Sequence, residues 1–122
     1  MAIENGRAIN AYECAQNAMR IYSKDEFKSH VKNIPMYIKT NGLGATLAFM
    51  LSKGNDYVTI GDCFQMWLKE DNKRIIDLSE VNDFKQFVQK ITKISSAEYR
   101  TVTNEFLAYL NWLRRFADGL SH

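Results

Sequence analysis

The strongest constraint on the fold is a repeat of apolar side chains in the last quarter of the chain. Tyr99, Val102, Phe106, Tyr109, Leu110, Leu113, Phe116 and Ala117 recur at steps of three and four. That period places them on one face of an α-helix. Ser95 or Ser96 with Glu98 supplies an N-terminal capping signal, and Gly119 a stop, so the spacing predicts a helix over about 96–118. A stripe of this length must lie against other apolar faces. The chain has 122 residues, with one proline and six glycines, too few turn formers for an all-β fold and well suited to long helices.

The remaining sequence divides the same way. Ala8, Ala11, Tyr12, Ala15, Met19 and Tyr22 mark a helix over 7–22, with small residues that let a partner helix approach. Ser23 or Asp25 caps a second helix, whose stripe is Phe27, Val31, Ile34 and Ile38. Pro35 lies inside it, and the missing N–H predicts a kink or break near Asn33–Ile34. Asn41–Gly42 ends it. Residues 43–53 are apolar almost all round and read as a buried central helix. A turn at Gly54–Asn55–Asp56 leads to a helix over 57–70 with Tyr57, Ile60, Phe64, Trp67 and Leu68 on one face. Residues 71–79 form a polar connection around Ile75–Ile76, and 80–94 a fifth helix with Val81, Phe84, Phe87, Val88 and Ile91 inward.

The expectation is an all-α, compact bundle of five to six helices, a single helical domain over 1–122. Its expected core is Leu47, Phe49, Met50, Phe64, Val102, Phe106, Leu110 and Leu113, with Trp112 leaning inward. The apolar share of 46% and charged share of 25% exclude global disorder. No apolar run reaches the roughly 18 residues of a membrane span, and MAIENGRAIN has no signal-peptide core. A cytoplasmic protein without membrane contact is expected.

Little in the chain points to catalysis. The two histidines are His30, expected on the surface of a lysine-rich helix, and His122, the last residue; neither has acid or base partners at helical spacing. Cys14 and Cys63 fall near apolar faces and read as buried, inert thiols. Asn41-Gly-Leu-Gly-Ala45 lacks the lysine and spacing of a phosphate loop. No metal, cofactor or small-molecule substrate is expected, and an enzyme such as a small hydrolase is disfavoured.

Charge is better organised. The net charge is +2, yet residues 24–53 carry five lysines against two acids, and residues 54–83 three basic against seven acidic groups. Lys24, Lys28, Lys32 and Lys39 line one side of the second helix beside its apolar stripe. On the last helix, Arg100 and Arg114 share a flank with Thr103 and Leu107, while Arg100, Asn104, Asn111 and Arg115 occupy the polar side. Such rows can meet successive phosphates without reading bases. Lys28, Lys32, Lys39, Arg100, Arg114 and Arg115 are therefore the candidate nucleic-acid contacts, with no aromatic platform for splayed bases evident beside them. A helical protein–protein adaptor with merely solvated rows is the alternative.

Two long segments bear a family likeness. Pro35-Met-Tyr-Ile-Lys-Thr-Asn-Gly-Leu-Gly-Ala-Thr-Leu-Ala-Phe49 and Tyr99-Arg-Thr-Val-Thr-Asn-Glu-Phe-Leu-Ala-Tyr-Leu-Asn-Trp-Leu-Arg-Arg-Phe-Ala117 resemble the signatures of the small subunit of type III-B CRISPR RNA-silencing effectors, the Cmr complexes. The N-terminal helix with Ala8, Ala11 and Tyr12 fits the same pattern, so the resemblance spans most of the chain. It implies an all-α, non-catalytic subunit that stacks in several copies along the crRNA-bearing filament. The implied partners are further copies of itself, other Cmr subunits, and the crRNA/target RNA, with target cleavage left to the backbone subunits and antiviral defence as the setting.

Overall fold

A computed structural model describes residues 3–70 and 76–121. Its elements are α1 (Ile3–Ile21), α2 (Lys24–Asn41), α3 (Leu43–Lys53), α4 (Asn55–Glu70), α5 (Phe84–Ile91) and α6 (Ser96–Leu120). No strand occurs among the described residues. None of their helices is long and apolar enough to cross a membrane. Residues 71–75 of the expected polar connection lie outside the described residues.

Helix α6 is the central stave, packed against both α1 and α2. Its start is fixed by a full capping box: Ser95 Oγ accepts the Glu98 N–H at 3.1 Å and Glu98 Oε1 accepts the Ser95 N–H at 3.0 Å. Val102, Phe106, Tyr109, Leu110 and Leu113 are fully buried along it. Asn10 meets Tyr109 and Tyr12 meets Phe116, so α1 runs parallel to α6. Lys28 of α2 lies beside Asp118 while Gly42, just past the end of α2, lies against Tyr99, so α2 runs antiparallel. Helix α4 lies against α1, its Phe64 ring stacked on Phe106 at 4.4 Å, and the short α3 and α5 close the remaining side.

Several expectations are corrected. The break at Pro35 does not occur: α2 runs unbroken through it, since Phe27, Val31, Ile34 and Ile38 bury their whole stripe and packing outweighs one lost backbone bond. Helix α1 buries Ala11, Cys14, Ala15 and Met19 as expected, but its buried face also takes in Ala18 and leaves Tyr12 exposed, because the small side chains permit close approach there; Cys63 is only partly buried. Helix α5 spans only eight residues, starting where Asp83 accepts the Gln86 N–H. Gly119 does not end α6, which continues to Leu120. Asn55 belongs to α4, leaving Gly54 as the turn. Phe49 is only partly buried, at the edge of the core, as is Trp112.

Gly42 serves two helices at once. Its φ of 87° suits glycine, its N–H caps the Ile38 carbonyl of α2, and it is the residue from which α3 departs. Gly44 then donates its N–H to the Tyr99 hydroxyl at 2.7 Å, tying this corner to α6. Gly61 has a different role. A Cβ there would overlap the buried Phe84 ring, so glycine lets α4 and α5 touch.

One polar contact joins three helices inside the core. Glu105 of α6, 8% exposed, accepts from Arg7 Nε at 2.7 Å and from the second guanidinium nitrogen at 3.0 Å. The Trp67 indole N–H of α4 donates to the same carboxylate at 3.0 Å. Nearby, a hydrogen bond with Cys63 and burial hold the Cys14 thiol well above its ordinary range.

Gly61→Ala should lower stability by about 1–3 kcal/mol through overpacking, opposite in sign to the helix propensity gain of roughly 0.5–1 kcal/mol; thermal melting decides the sign. Glu105→Ala should cost about 3–5 kcal/mol, because it strands the Arg7 guanidinium in a buried site; denaturant unfolding measures it. Cys14 should resist alkylation in the native chain at neutral pH and react fully once denaturant is added, since only the thiolate attacks. Fast native labelling, read by mass spectrometry, would contradict that placement.

Candidate nucleic-acid interface

The antiparallel pairing of α2 with α6 brings part of the two basic rows together. Lys28 and Lys32 reach from α2 and Arg114 from α6 into one cleft of about 410 Å³. Their convergence arises because Lys28 and Lys32 sit one turn apart on the flank of α2 that borders α6. Asp25 and Asp118 line the same cleft. Lys28 Nζ lies 3.9 Å from Asp118 Oδ1, a loose and solvent-exposed pair that contributes little to stability. Three cations thus face two carboxylates, and the attraction for a polyanion is reduced accordingly.

The other three predicted residues lie elsewhere. Lys39 is exposed in the last turn of α2, at the far end of that helix. Arg100 lies on α6 beside the α5–α6 connection, lining a separate cleft with Ile94, Ser95 and Tyr99. Arg115 turns away from Arg114, its guanidinium 5.4 Å from the centre of the Trp112 ring. Trp112 stacks on Phe116, which meets Tyr12 edge-on, so this arginine belongs to an aromatic surface between α1 and α6. The adjacent pair Arg114–Arg115 is split between two faces, because consecutive helical residues point about 100° apart.

A second cleft, on the opposite flank of α2, was not read from the sequence. It measures about 580 Å³ and lies among α2, α3 and α4. His30, expected on the open surface, is half-buried there. Its Nδ1 lies 2.9 and 2.8 Å from the two oxygens of Asp56, which is buried, and its ring stacks on Tyr57 at 4.3 Å. Phe49 packs edge-on against both Tyr57 and Tyr37, and Lys53 Nζ sits 5.6 Å from the centre of the Phe49 ring. Burial, with smaller contributions from Tyr37 and Asp56, pushes the Tyr57 hydroxyl up from its ordinary value. These rings meet away from the basic rows, on the flank of α2 opposite Lys28 and Lys32. Tyr37, Phe49 and Tyr57 come from three helices, and no spacing within one helix reveals their meeting.

Among the described residues, no group of three or more His, Cys, Asp or Glu side chains could hold a metal ion. The two clefts present cations, aromatic rings and hydrogen-bonding groups.

Comparison with known proteins agrees with this architecture. The CRISPR-associated protein family model Cas_Cmr5 matches residues 3–120. The CRISPR system Cmr subunit Cmr5 of Thermus thermophilus is 26% identical over 117 residues, covering 93% of this chain and 90% of that one. The X-ray crystal structure of a CRISPR-associated Cmr5 family protein from Thermus thermophilus has the same fold, with a TM-score of 0.79 at 22% identity over 98% of each chain. The chain thus belongs to the Cas_Cmr5 family of CRISPR-associated proteins, the small subunits of type III-B Cmr effectors that its sequence resembles.

Proposed function

We propose that this chain is a non-catalytic subunit that stacks in several copies along the crRNA–target RNA filament of a cytoplasmic Cmr effector and stabilises target binding in antiviral defence. The observation that carries the reading is the meeting of Lys28, Lys32 and Arg114 in one cleft between α2 and α6. Cations spaced along a helix seam contact phosphate oxygens irrespective of base, which is what a subunit serving any guide sequence requires. Lys39 and Arg100 extend the basic surface toward the other end of the α2–α6 pair, and Arg115 contributes from the adjoining face. Arg114 ranks above the lysines, since its planar fork binds phosphate in two places.

A second reading is favoured by Asp25 and Asp118. Their carboxylates in the same cleft suit a contact with the charged side chains of a neighbouring subunit, as in a protein–protein adaptor.

The two readings separate in a charge-reversal experiment on the assembled complex. Lys28→Glu, Lys32→Glu and Arg114→Glu together should weaken target-RNA binding. The log–log salt slope should fall by roughly 0.7 for each single-strand phosphate no longer neutralised, about 2 if all three cations touch RNA. Unchanged RNA affinity with impaired assembly would support the adaptor. Unchanged affinity, slope and assembly would reduce the row to a solvated face.

A further inference from the structure

We propose that the aromatic cleft among α2, α3 and α4 is a stacking site for an unpaired nucleobase. The inference rests on the RNA-contact reading above and adds the group that is bound and where. Three half-buried rings, His30, Tyr37 and Phe49, contribute to its wall, and Tyr57 backs them from the core. The cleft volume of about 580 Å³ falls in the range of small-molecule sites, roughly 300–1,000 Å³. Its wide mouth suits one unit of a polymer or a nucleotide with its phosphate outside.

The polar groups are placed for such an occupant. Both Asp56 oxygens lie within hydrogen-bond distance of His30 Nδ1, so the carboxylate fixes the imidazole with a proton on that atom. In the neutral ring, Nε2 is then a free acceptor for a base amino group or a ribose hydroxyl. The Asp56 carboxylate, only 3% exposed, thus serves to orient a ring that borders open space. Lys53 Nζ lies over the face of the Phe49 ring, 5.6 Å from its centre; it must swing aside for a base to stack there, and can then meet the phosphate of the same nucleotide. Glu26 and Asp56 line the cleft against Lys53, so with His30 neutral the cleft is slightly acidic. Such a cleft does not draw in a phosphate backbone, but its rings accept a flat, uncharged base, for which stacking is tolerant of sequence.

The cleft and the basic row lie on opposite flanks of α2 and can be tested apart. The full chain is titrated with two probes: a single-stranded RNA decamer carrying one 2-aminopurine, and 2-aminopurine riboside monophosphate. Stacking quenches the probe, while anisotropy of an end-labelled decamer of the same sequence reports binding. The expected result is quenching that Phe49→Leu and Tyr37→Leu each weaken by about five- to 150-fold in affinity, with the salt dependence of the decamer unchanged. Leucine keeps apolar bulk, and circular dichroism verifies folding of each variant. Quenching of the decamer alone assigns the site to RNA, and saturable quenching of the mononucleotide assigns it to free nucleotides. Quenching that survives both substitutions would place the base elsewhere, with Trp112 the next surface to examine, and would overturn the proposal. Decamer binding without quenching of either probe would also overturn it while leaving the basic row intact. Loss of decamer binding on reversal of Lys32 and Arg114, with mononucleotide quenching retained, would separate the two sites in the opposite direction.

Discussion

The buried carboxylate of Glu105 sets the arrangement on which the rest depends. It is the one acidic side chain on the buried face of α6, and it accepts from Arg7 on α1 and Trp67 on α4 together. An ion pair out of water gains little net energy over apolar packing, but removing one partner is costly. Its effect is therefore on register. A slip of α1 or α4 by one turn would carry its donor about 5.4 Å from the carboxylate and leave a charge unpaired. Tyr109, one turn along α6, repeats the constraint by donating to Asn10 at 2.6 Å. With α1, α4 and α6 fixed, the remaining side of α6 is left for α2.

That position gives α2 its two flanks. Its core stripe faces inward, one flank meets α6, and the other meets α3 and α4. The first flank gathers cations and the second gathers rings. The unbroken path through Pro35 matters here, because a break would rotate Tyr37 and Lys39 out of line with His30 and Lys32. Proline is tolerated because the helix is held by its buried side chains rather than by each successive backbone bond. Gly42 then reverses the chain so tightly that α3 can deliver Phe49 and Lys53 to the second flank.

The family assignment and the site geometry bear on different questions. Membership explains why the fold recurs at 22% identity: what recurs in space is the packing of helices around α6. Individual surface residues are free to vary under that constraint, so the clefts must be argued from this chain's own side chains. Lys28, Lys32 and Arg114 are singled out by meeting in space, whereas Lys39, Arg100 and Arg115 share their charge but not their location.

Apolar patterning and capping signals determined that the chain is helical, the spans of α2, α3 and α6, and most of the buried set, including Phe64, Val102, Phe106, Leu110 and Leu113. These properties are local: a helix's apolar stripe, its capping box at Ser95 and its glycine stop at Gly42 each act within a few residues. The patterning wrongly made α3 the buried central helix, whereas it lies at the side with Ala45 and Ala48 exposed and α6 holds the centre. The same reasoning missed the turn of α1 that exposes Tyr12 and the short span of α5, since both are set by the surface a helix packs against. It placed His30 in solvent because Asp56 is 26 residues away, and it gave Tyr57 to the α4 stripe, Phe49 to the core and Tyr37 to no stripe. It could align cations along each helix but not say which rows would face one another. Only the tertiary structure decided those meetings, because a pairwise contact between helices depends on their crossing, direction and register, and none of these is encoded in the period of a single helix.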